Sequence, residues 1–172
     1  MDIVFMSDKS TDFEDLYAKY AGDVYRFSFW LCGDTALAKD ITSETFVRVW
    51  TSDSEIRFET VKAYLFAIAR NLYLHEKRSL KNRVALQPEL PDPSARPDEA
   101  AAVNSKLELT LKALQSFPEI DRSVLIMRAQ DELSYAEIAR ATGLSLSAVK
   151  VKVFRTRQRL QSIINQQSGE QQ

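Results

Sequence analysis

The chain has 172 residues, of which 45% are hydrophobic and 27% charged, so it can bury one medium core or two small ones and is not a disordered chain. Its four glycines are scattered, which excludes a glycine-rich phosphate loop and a dinucleotide-binding fingerprint. The single cysteine, Cys32, excludes an internal disulfide and a cysteine-based zinc cluster. Its apolar neighbours predict a buried, inert thiol in a reducing compartment.

The net charge of −1 conceals a segregated distribution of charge. Residues 1–60 contain twelve acids and six bases, whereas residues 147–160 contain five bases and no acid. A second basic strip, residues 70–83, holds five bases against Glu76 alone. Because local fields decide which partner binds where, the net charge does not exclude a nucleic-acid partner.

The sequence predicts neither a secretion signal nor a membrane span. Residues 1–9 begin with an acid after the initial methionine and lack a basic start or a long apolar segment. The longest apolar run, residues 63–69, is too short to cross a bilayer. We therefore expect a cytoplasmic protein.

Helical periodicity dominates, and no convincing strand alternation is found. In chain order the predicted helices span residues 12–31, 34–50, 60–83, 98–116 and 118–130, followed by a helix-turn-helix over 133–160 and a polar tail over 166–172. Four prolines in residues 87–97 remove amide donors and predict an extended linker. The prediction is an all-α protein with two small helical domains, residues 10–84 and 99–165, joined by a proline-rich linker over 85–98.

The third predicted helix combines an apolar stripe with aromatic, amide and basic residues. The expected core stripe is Leu65, Ile68, Ala69 and Leu72. Aromatic rings beside cations suit single-stranded nucleic acid, because the bases stack and the phosphates need positive charge; stacking is worth roughly 1–3 kcal/mol per base. Tyr64 and Phe66 fit that description, and so does the basic strip. Taken alone, however, a core role for these rings is the stronger interpretation.

Residues 133–160 carry the local signals of a helix-turn-helix. Ser134 and Glu137 have the spacing of a capping box, and Gly143 supplies a left-handed turn. Ser145 is placed to cap a second helix, which contains the five bases Lys150, Lys152, Arg155, Arg157 and Arg159. A basic second helix held at a sharp angle suits the major groove of DNA. The alternative is an ordinary amphipathic hairpin with a solvated basic face.

Four ordered segments resemble those of bacterial RNA polymerase sigma factors of the extracytoplasmic-function (ECF) group, within the sigma-70 family. Residues 38–50 resemble the segment that grips the clamp helices of the polymerase, and residues 65–71 resemble the promoter-melting helix. Residues 117–122 and the helix-turn-helix resemble the C-terminal domain of the group. The resemblance covers nearly all of residues 13–160. It implies two helical domains that recognise the minus-ten and minus-thirty-five promoter elements.

The resemblance places the polymerase contact on the second predicted helix, at Asp40, Ser43, Glu44, Phe46 and Trp50. Asp40 and Glu44, one helical turn apart, would present carboxylates to the basic clamp. The family usually has an acid and a glutamine where this chain has Lys39 and Ser43.

The implied minus-ten contacts are Tyr64, Phe66, Arg70, Asn71, Lys77 and Arg78. Asn71 matches the position that lines the pocket for a flipped minus-ten base, with Phe66 nearby. Tyr64 replaces the more usual tryptophan. The loop that shapes this pocket would lie at residues 55–62.

The implied minus-thirty-five contacts are Ser147, Lys150, Val151, Phe154, Arg155 and Arg157. Ala148 and Val151 stand where the family often has threonine and serine, which favours apolar contact with thymine methyl groups over hydrogen bonding. Glu132 replaces a common glycine before the helix-turn-helix. A left-handed conformation there would cost about 1 kcal/mol.

The resemblance implies a promoter-specificity subunit that binds core RNA polymerase and promoter DNA and promotes DNA melting. It implies no catalysis, metal or cofactor, and it implies an anti-sigma factor as a further partner. One alternative is a stand-alone helix-turn-helix regulator, which leaves residues 64–78 and the linker without a role. The other is an enzyme, which has little support, because His75 is the only histidine and no nucleophile–base or metal-ligand cluster is visible.

Overall fold

The computed structural model describes residues 9–52, 60–86, 105–130 and 132–169. These ranges contain no strand and seven helices: α1 (Lys9–Cys32), α2 (Thr35–Thr51), α3 (Val61–Leu86), α4 (Ser105–Gln115), α5 (Glu119–Ala129), α6 (Tyr135–Thr142) and α7 (Leu146–Gly169). The predicted all-α class is confirmed. The predicted linker from residue 87 onward, most of the pocket loop and the start of the fourth predicted helix lie outside the described residues.

A short turn separates α1 from α2, and local chemistry fixes it. Gly33 follows the end of α1 with a φ of 74°, a left-handed conformation that glycine adopts without steric cost. Asp34 then caps α2, because its side chain accepts a hydrogen bond from the amide of Leu37 at 2.8 Å. The two helices consequently pack side by side.

A stacked pair of aromatic rings lies in the core formed by α1, α2 and α3. The rings of Phe27 in α1 and Phe66 in α3 have centroids 4.5 Å apart and planes 8° from parallel, and both side chains are fully buried. Leu65 and Ala69 are buried with them, as predicted. The predicted contact of Phe66 with minus-ten DNA is therefore wrong, because no base can reach a ring that has no exposed surface.

The helix-turn-helix of α6 and α7 uses the predicted signals. Ser134 Oγ accepts the amide hydrogen of Glu137 at 3.2 Å, and the Glu137 carboxylate accepts that of Ser134 at 2.7 Å, which completes the capping box. Gly143 has a φ of 74°, and Ser145 Oγ accepts the amide hydrogen of Ala148 at 3.2 Å. These contacts end α6 and begin α7 within three residues.

The Glu137 carboxylate remains ionised although its side chain is buried. Burial raises the pKa of Glu137, but hydrogen bonds from the Thr60 side chain and from Ser134 outweigh it and hold the pKa below its usual value of 4.5. Since the pKa is lower in the folded state, this group stabilises the fold above pH 4.5. The contribution is lost as the pH falls through the folded pKa.

Helix α7 extends well beyond the predicted end of the helix-turn-helix. It continues to Gly169, so the polar tail predicted over 166–172 is wrong for residues 166–169. The extension has an apolar anchor, because Ile163 packs with Leu160 against the cluster of Leu114, Phe117 and Leu125, which comes from α4, α5 and the turn between them. Tertiary packing therefore propagates a helix whose last turns look polar in the sequence.

The two groups of helices pack against each other. Helix α1 contacts α4 and α5, and α3 contacts α6. The Gln115 side chain of α4 donates a hydrogen bond to the Trp30 carbonyl of α1 at 3.1 Å. A single cluster of buried side chains includes members of both groups, among them Leu31 and Val124. The structure thus supplies a relative placement that the sequence left open.

The turn between α5 and α6 holds Glu132 in a left-handed conformation. Its φ is 54°, the only positive value for a non-glycine residue in the described parts of the chain. Arg128 secures the turn by donating a hydrogen bond to the Leu133 carbonyl at 3.0 Å. A residue with a Cβ pays roughly 1–2 kcal/mol for this conformation.

Glu132→Gly tests this strain. Glycine removes it but gives the unfolded chain more freedom, which offsets about 0.4–1 kcal/mol. We expect the free energy of unfolding, measured by urea denaturation, to stay constant or to rise by up to about 1 kcal/mol. The control Glu132→Val should lower it, because a β-branched residue tolerates positive φ least. A glycine variant that loses more than about 1 kcal/mol would contradict a strained turn.

Candidate nucleic-acid interface

One face of α7 presents the side chains predicted for minus-thirty-five DNA. All six are exposed: Ser147, Lys150, Val151, Phe154, Arg155 and Arg157. Phe154 has 62% of its surface exposed, an unusual state for a large apolar side chain. The face therefore offers cations for phosphates, a hydroxyl for hydrogen bonds and apolar groups for methyl contacts.

The other two bases of α7 each contact a neighbouring part of the protein, although Arg159 is also exposed. Lys152 Nζ lies 2.7 Å from the Asp121 carboxylate of α5. The Arg159 guanidinium lies over the ring of Phe117, with 5.2 Å to the ring centroid. Lys152 and Arg159 thus help to hold α7 against α5 and the turn that precedes it, and every base of the five except Lys152 is exposed.

On α3, the exposed residues among the predicted minus-ten contacts lie toward the C-terminal half of the helix. Asn71, Lys77 and Arg78 are exposed, and Tyr64 is half-buried. Asn71 and Arg78 are seven residues apart, or two helical turns, so they share one face. His75 lies between them and is also exposed. The outward side of α3 thus combines an amide with basic residues.

Arg70, the remaining predicted contact on α3, faces α5 in this arrangement. Its guanidinium donates from Nε and Nη2 to the two carboxylate oxygens of Glu119, at 2.6 Å and 2.9 Å. Each side chain has only 12% of its surface exposed. The predicted DNA contact of Arg70 therefore requires this ion pair to separate.

The predicted polymerase-binding residues of α2 separate into an exposed set and one core residue. Asp40, Ser43, Glu44 and Trp50 are exposed. Phe46 is buried, with only 2% of its surface exposed, so its predicted direct contact with polymerase is wrong. Its ring supports the surface from beneath, because it meets the edge of Tyr17 of α1 with centroids 4.8 Å apart.

An exposed apolar patch adjoins the acidic residues of α2. Trp50 packs edge-on against Phe13, with centroids 4.8 Å apart, yet half of its surface remains exposed. Val47 and Tyr17 are 52% and 47% exposed. Sequence reasoning missed Phe13, Tyr17 and Val47, although the spacing of four residues between Phe13 and Tyr17 placed them on one face. Exposed apolar groups gathered in this way mark a surface for protein contact.

Comparison with known protein families bears on what these surfaces do. The chain matches Sigma-70 region 2 over residues 16–83 and Sigma-70 region 4 over residues 107–160. The chain belongs to the sigma-70 family. The region 2 match contains the exposed faces of α2 and α3, and the region 4 match contains that of α7.

Related proteins place this sigma factor in the ECF group. It is 31% identical over 155 residues to the ECF RNA polymerase sigma factor SigM of Bacillus subtilis strain 168, across 88% of this chain and 94% of SigM. It is also 31% identical over 144 residues to the ECF factor SigL of Mycobacterium tuberculosis strain H37Rv, across 80% of each chain. The predicted family is confirmed, and the chain is an alternative sigma subunit rather than a stand-alone regulator.

The fold also resembles a solved sigma factor. The Bartonella quintana sigma factor RpoE, solved in complex with the anti-sigma factor NepR, superimposes with a TM-score of 0.77 at 24% identity. The match covers 90% of this chain and 97% of RpoE. At this level of identity the similarity concerns the fold.

Cys32 of this sigma factor has the environment expected for a structural thiol. Burial raises its pKa to about 11, and the thiol donates a hydrogen bond to the Asp34 carbonyl at 3.2 Å. A thiol with so high a pKa is protonated near neutral pH and is a poor nucleophile. Cys32 is half-buried rather than fully buried as predicted, and its raised pKa agrees with the predicted low reactivity.

Neither a metal-binding cluster nor a membrane-spanning helix is found in the described residues. Among those residues, no cluster of three or more histidine, cysteine, aspartate or glutamate side chains is placed to hold a metal ion. None of the helices in the same ranges is long and apolar enough to cross a membrane.

Proposed function

We propose that this ECF sigma factor reads its promoter with two faces, α7 at the minus-thirty-five element and α3 at the minus-ten element, while α2 binds core RNA polymerase. The observation that carries the proposal is the exposure of all six predicted residues on one face of α7, within the region 4 match. Sigma factors are non-catalytic subunits of transcription initiation, so these surfaces recognise and position DNA. Since sigma factors act on RNA polymerase, we place the protein in the cytoplasm.

Base recognition at minus thirty-five rests on a mixture of charged and apolar side chains. Lys150 and Arg155 are exposed and long enough to reach base edges or phosphates. Val151 and Phe154 lie three residues apart on the same face and cannot form side-chain hydrogen bonds. Their contact with DNA is therefore apolar, and the methyl group of thymine is the apolar group in the major groove.

At minus ten, α3 supplies an amide and a basic strip. The Asn71 amide both donates and accepts hydrogen bonds, which suits the edge of a flipped base. Lys77 and Arg78, one to two turns further along, would neutralise the phosphates of the melted strand. Tyr64 is half-buried, so it presents only part of its ring.

The α1–α2 surface is assigned to core polymerase. Asp40 and Glu44 present carboxylates one helical turn apart, with Glu44 also paired to Arg48 at 3.2 Å. An exposed pair of this kind contributes little to stability and exchanges easily for another cation. Trp50 and its apolar neighbours would add a desolvated contact, which aromatic residues supply well at interfaces.

A regulatory protein is the third partner we assign. The Bartonella RpoE structure contains the anti-sigma factor NepR, and the CnrH structure, to which this fold is similar with a TM-score of 0.68 at 21% identity, contains the cytosolic domain of CnrY. We extend this kind of partner to the present chain. Its exposed apolar patch on α1–α2 is a surface that such a protein could cover.

Asn71→Ala tests the minus-ten assignment. The variant should bind core polymerase as well as wild type in a pull-down, because Asn71 is an exposed residue of α3 and is not part of the α1–α2 surface assigned to polymerase. Open-complex formation, followed by permanganate reactivity of melted thymines, should fall by about tenfold or more, since one base-specific contact is worth about 1–3 kcal/mol. The matched control is Asn82→Ala, an exposed asparagine on the same helix. Open complexes at wild-type rates would contradict a base-pocket role for Asn71.

Phe154→Ala tests apolar readout at minus thirty-five. Replacing each thymine of that element in turn by deoxyuridine removes one methyl group, whose burial is worth about 0.8 kcal/mol, or about fourfold in affinity. Wild-type holoenzyme should lose about this factor at the contacted thymine, whereas Phe154→Ala should be insensitive there. The control Arg157→Ala should keep the methyl effect. If no thymine shows a methyl effect with wild type, or the variant retains all of them, the assignment is wrong.

A further inference from the structure

The basic strip of α3, residues 70–83, contains the only histidine of the chain, His75. Its side chain is exposed. Histidine is the side chain that changes its charge between about pH 5 and pH 8, whereas lysine and arginine stay charged over that range. The positive charge that this strip offers to an anion therefore depends on pH through one residue.

His75 borders the position proposed to hold the flipped minus-ten base. It follows Asn71 by four residues and precedes Arg78 by three. Residues at these two spacings are neighbours on the surface of a helix, with about 5–6 Å between their Cβ atoms. The imidazole thus lies on the same exposed face as Asn71 and Arg78, beside any strand that Asn71 binds.

No group of the protein engages the imidazole in the described ranges. His75 forms no hydrogen bond, ion pair or ring contact there. The next residue, Glu76, is an acid, but its carboxylate lies 3.9 Å from the guanidinium of Arg83. Adjacent residues of a helix also do not face each other. The imidazole is consequently available to an external partner.

The charged groups that neighbouring helices direct toward α3 meet residues 60–73, before His75. They are Asp23 of α1, Glu119 and Arg122 of α5 and Glu137 of α6, whose partners are Lys62, Arg70, Tyr73 and Thr60 respectively. The thiol of Cys32, the other titratable group near Tyr73, has a pKa raised to about 11. The charged residues of α2 are all exposed. None of these groups pairs with His75.

A phosphate of bound DNA distinguishes the two forms of an imidazole. The protonated ring is a cation that donates from both nitrogens, whereas the neutral ring has no charge and donates from one. A phosphate therefore binds the protonated form more tightly. Since linkage is reciprocal, the bound phosphate also favours protonation.

We propose that His75 is a phosphate contact of the minus-ten strand that acts only when it is protonated, so that acidification strengthens the hold on melted promoter DNA. Lys77 and Arg78 supply the constant part of the charge, and His75 adds a part that depends on pH. The inference rests on the proposed function, because it takes α3 as the surface that binds the minus-ten element.

Binding of holoenzyme to a promoter fragment with an unpaired minus-ten segment tests the contact. The full-length chain is assembled with core polymerase, and the affinity is measured by fluorescence anisotropy at about pH 6 and about pH 8 over a series of salt concentrations. One phosphate contact to a single strand changes the salt slope by about 0.7, which is about fivefold in affinity at about 0.1 M salt. We expect wild type to lose this slope and this factor at the higher pH.

Variants at His75 isolate its contribution. His75→Gln should bind as wild type does at the higher pH and should gain nothing on acidification. His75→Lys should keep the tight binding and the steep salt slope at both values. The amino terminus and groups of core polymerase also titrate in this range, but they are common to all the proteins compared. The control Glu76→Gln should retain the pH effect of wild type, because carboxylates do not change charge there.

Two results would overturn the proposal. One is an equal pH effect in wild type and His75→Gln, and the other is a His75→Gln variant weakened by the same factor at both values. A fragment with substituted minus-ten bases should keep the pH effect, because every sequence contains the phosphates. Loss of the effect on that fragment would show that His75 reads a base and would refute the phosphate contact.

Asn71→Ala in the same assay separates this inference from the proposed function. If Asn71→Ala weakens binding while His75→Gln leaves the pH profile unchanged, only the phosphate contact is refuted. If neither variant changes binding, the assignment of α3 to the minus-ten element fails as well.

Discussion

The packing of helix α3 is the constraint on which the rest of the structure depends, because α1, α2 and α6 pack on it and α5 is hydrogen-bonded to it. Phe66 fills the core against α1, Tyr73 and Arg70 bind α5, and Asn71 faces outward. The 3.6-residue period of a helix places the core residue, the residues bound to α5 and the outward-facing residue on different faces of α3. Together these faces occupy the circumference of the helix. Stability, domain placement and the proposed promoter recognition are consequently coupled in one helix.

The sequence predicted the structural features that depend on interactions between residues close together in the chain. The capping box of Ser134 and Glu137, the turn at Gly143 and the strain at Glu132 each involve residues within a few positions of one another. Their hydrogen bonds form as soon as the local chain folds, so composition and spacing identify them. The six exposed residues of α7 follow from the same logic, because the apolar stripe of one helix determines which residues point outward.

The sequence analysis missed the contacts that form between residues far apart in the chain. Phe66 and Phe46 resemble surface residues in their motifs, but rings on α1 cover them. Arg70 finds a carboxylate 49 positions away, and no periodicity in the sequence signals that meeting. The extension of α7 to Gly169 likewise depends on a cluster contributed by α4 and α5. Helix faces could be predicted from periodicity, whereas the partner of each face required the fold.

That two faces of this chain read two promoter elements together is tested most directly by run-off transcription in vitro. Core RNA polymerase and the full-length chain are supplied with promoters randomised at both elements, and the transcribed sequences are determined. We expect enrichment at both segments, at a fixed spacing and only when the chain is present. Enrichment at a single segment, or no transcript beyond that of core polymerase alone, would contradict a two-element reader.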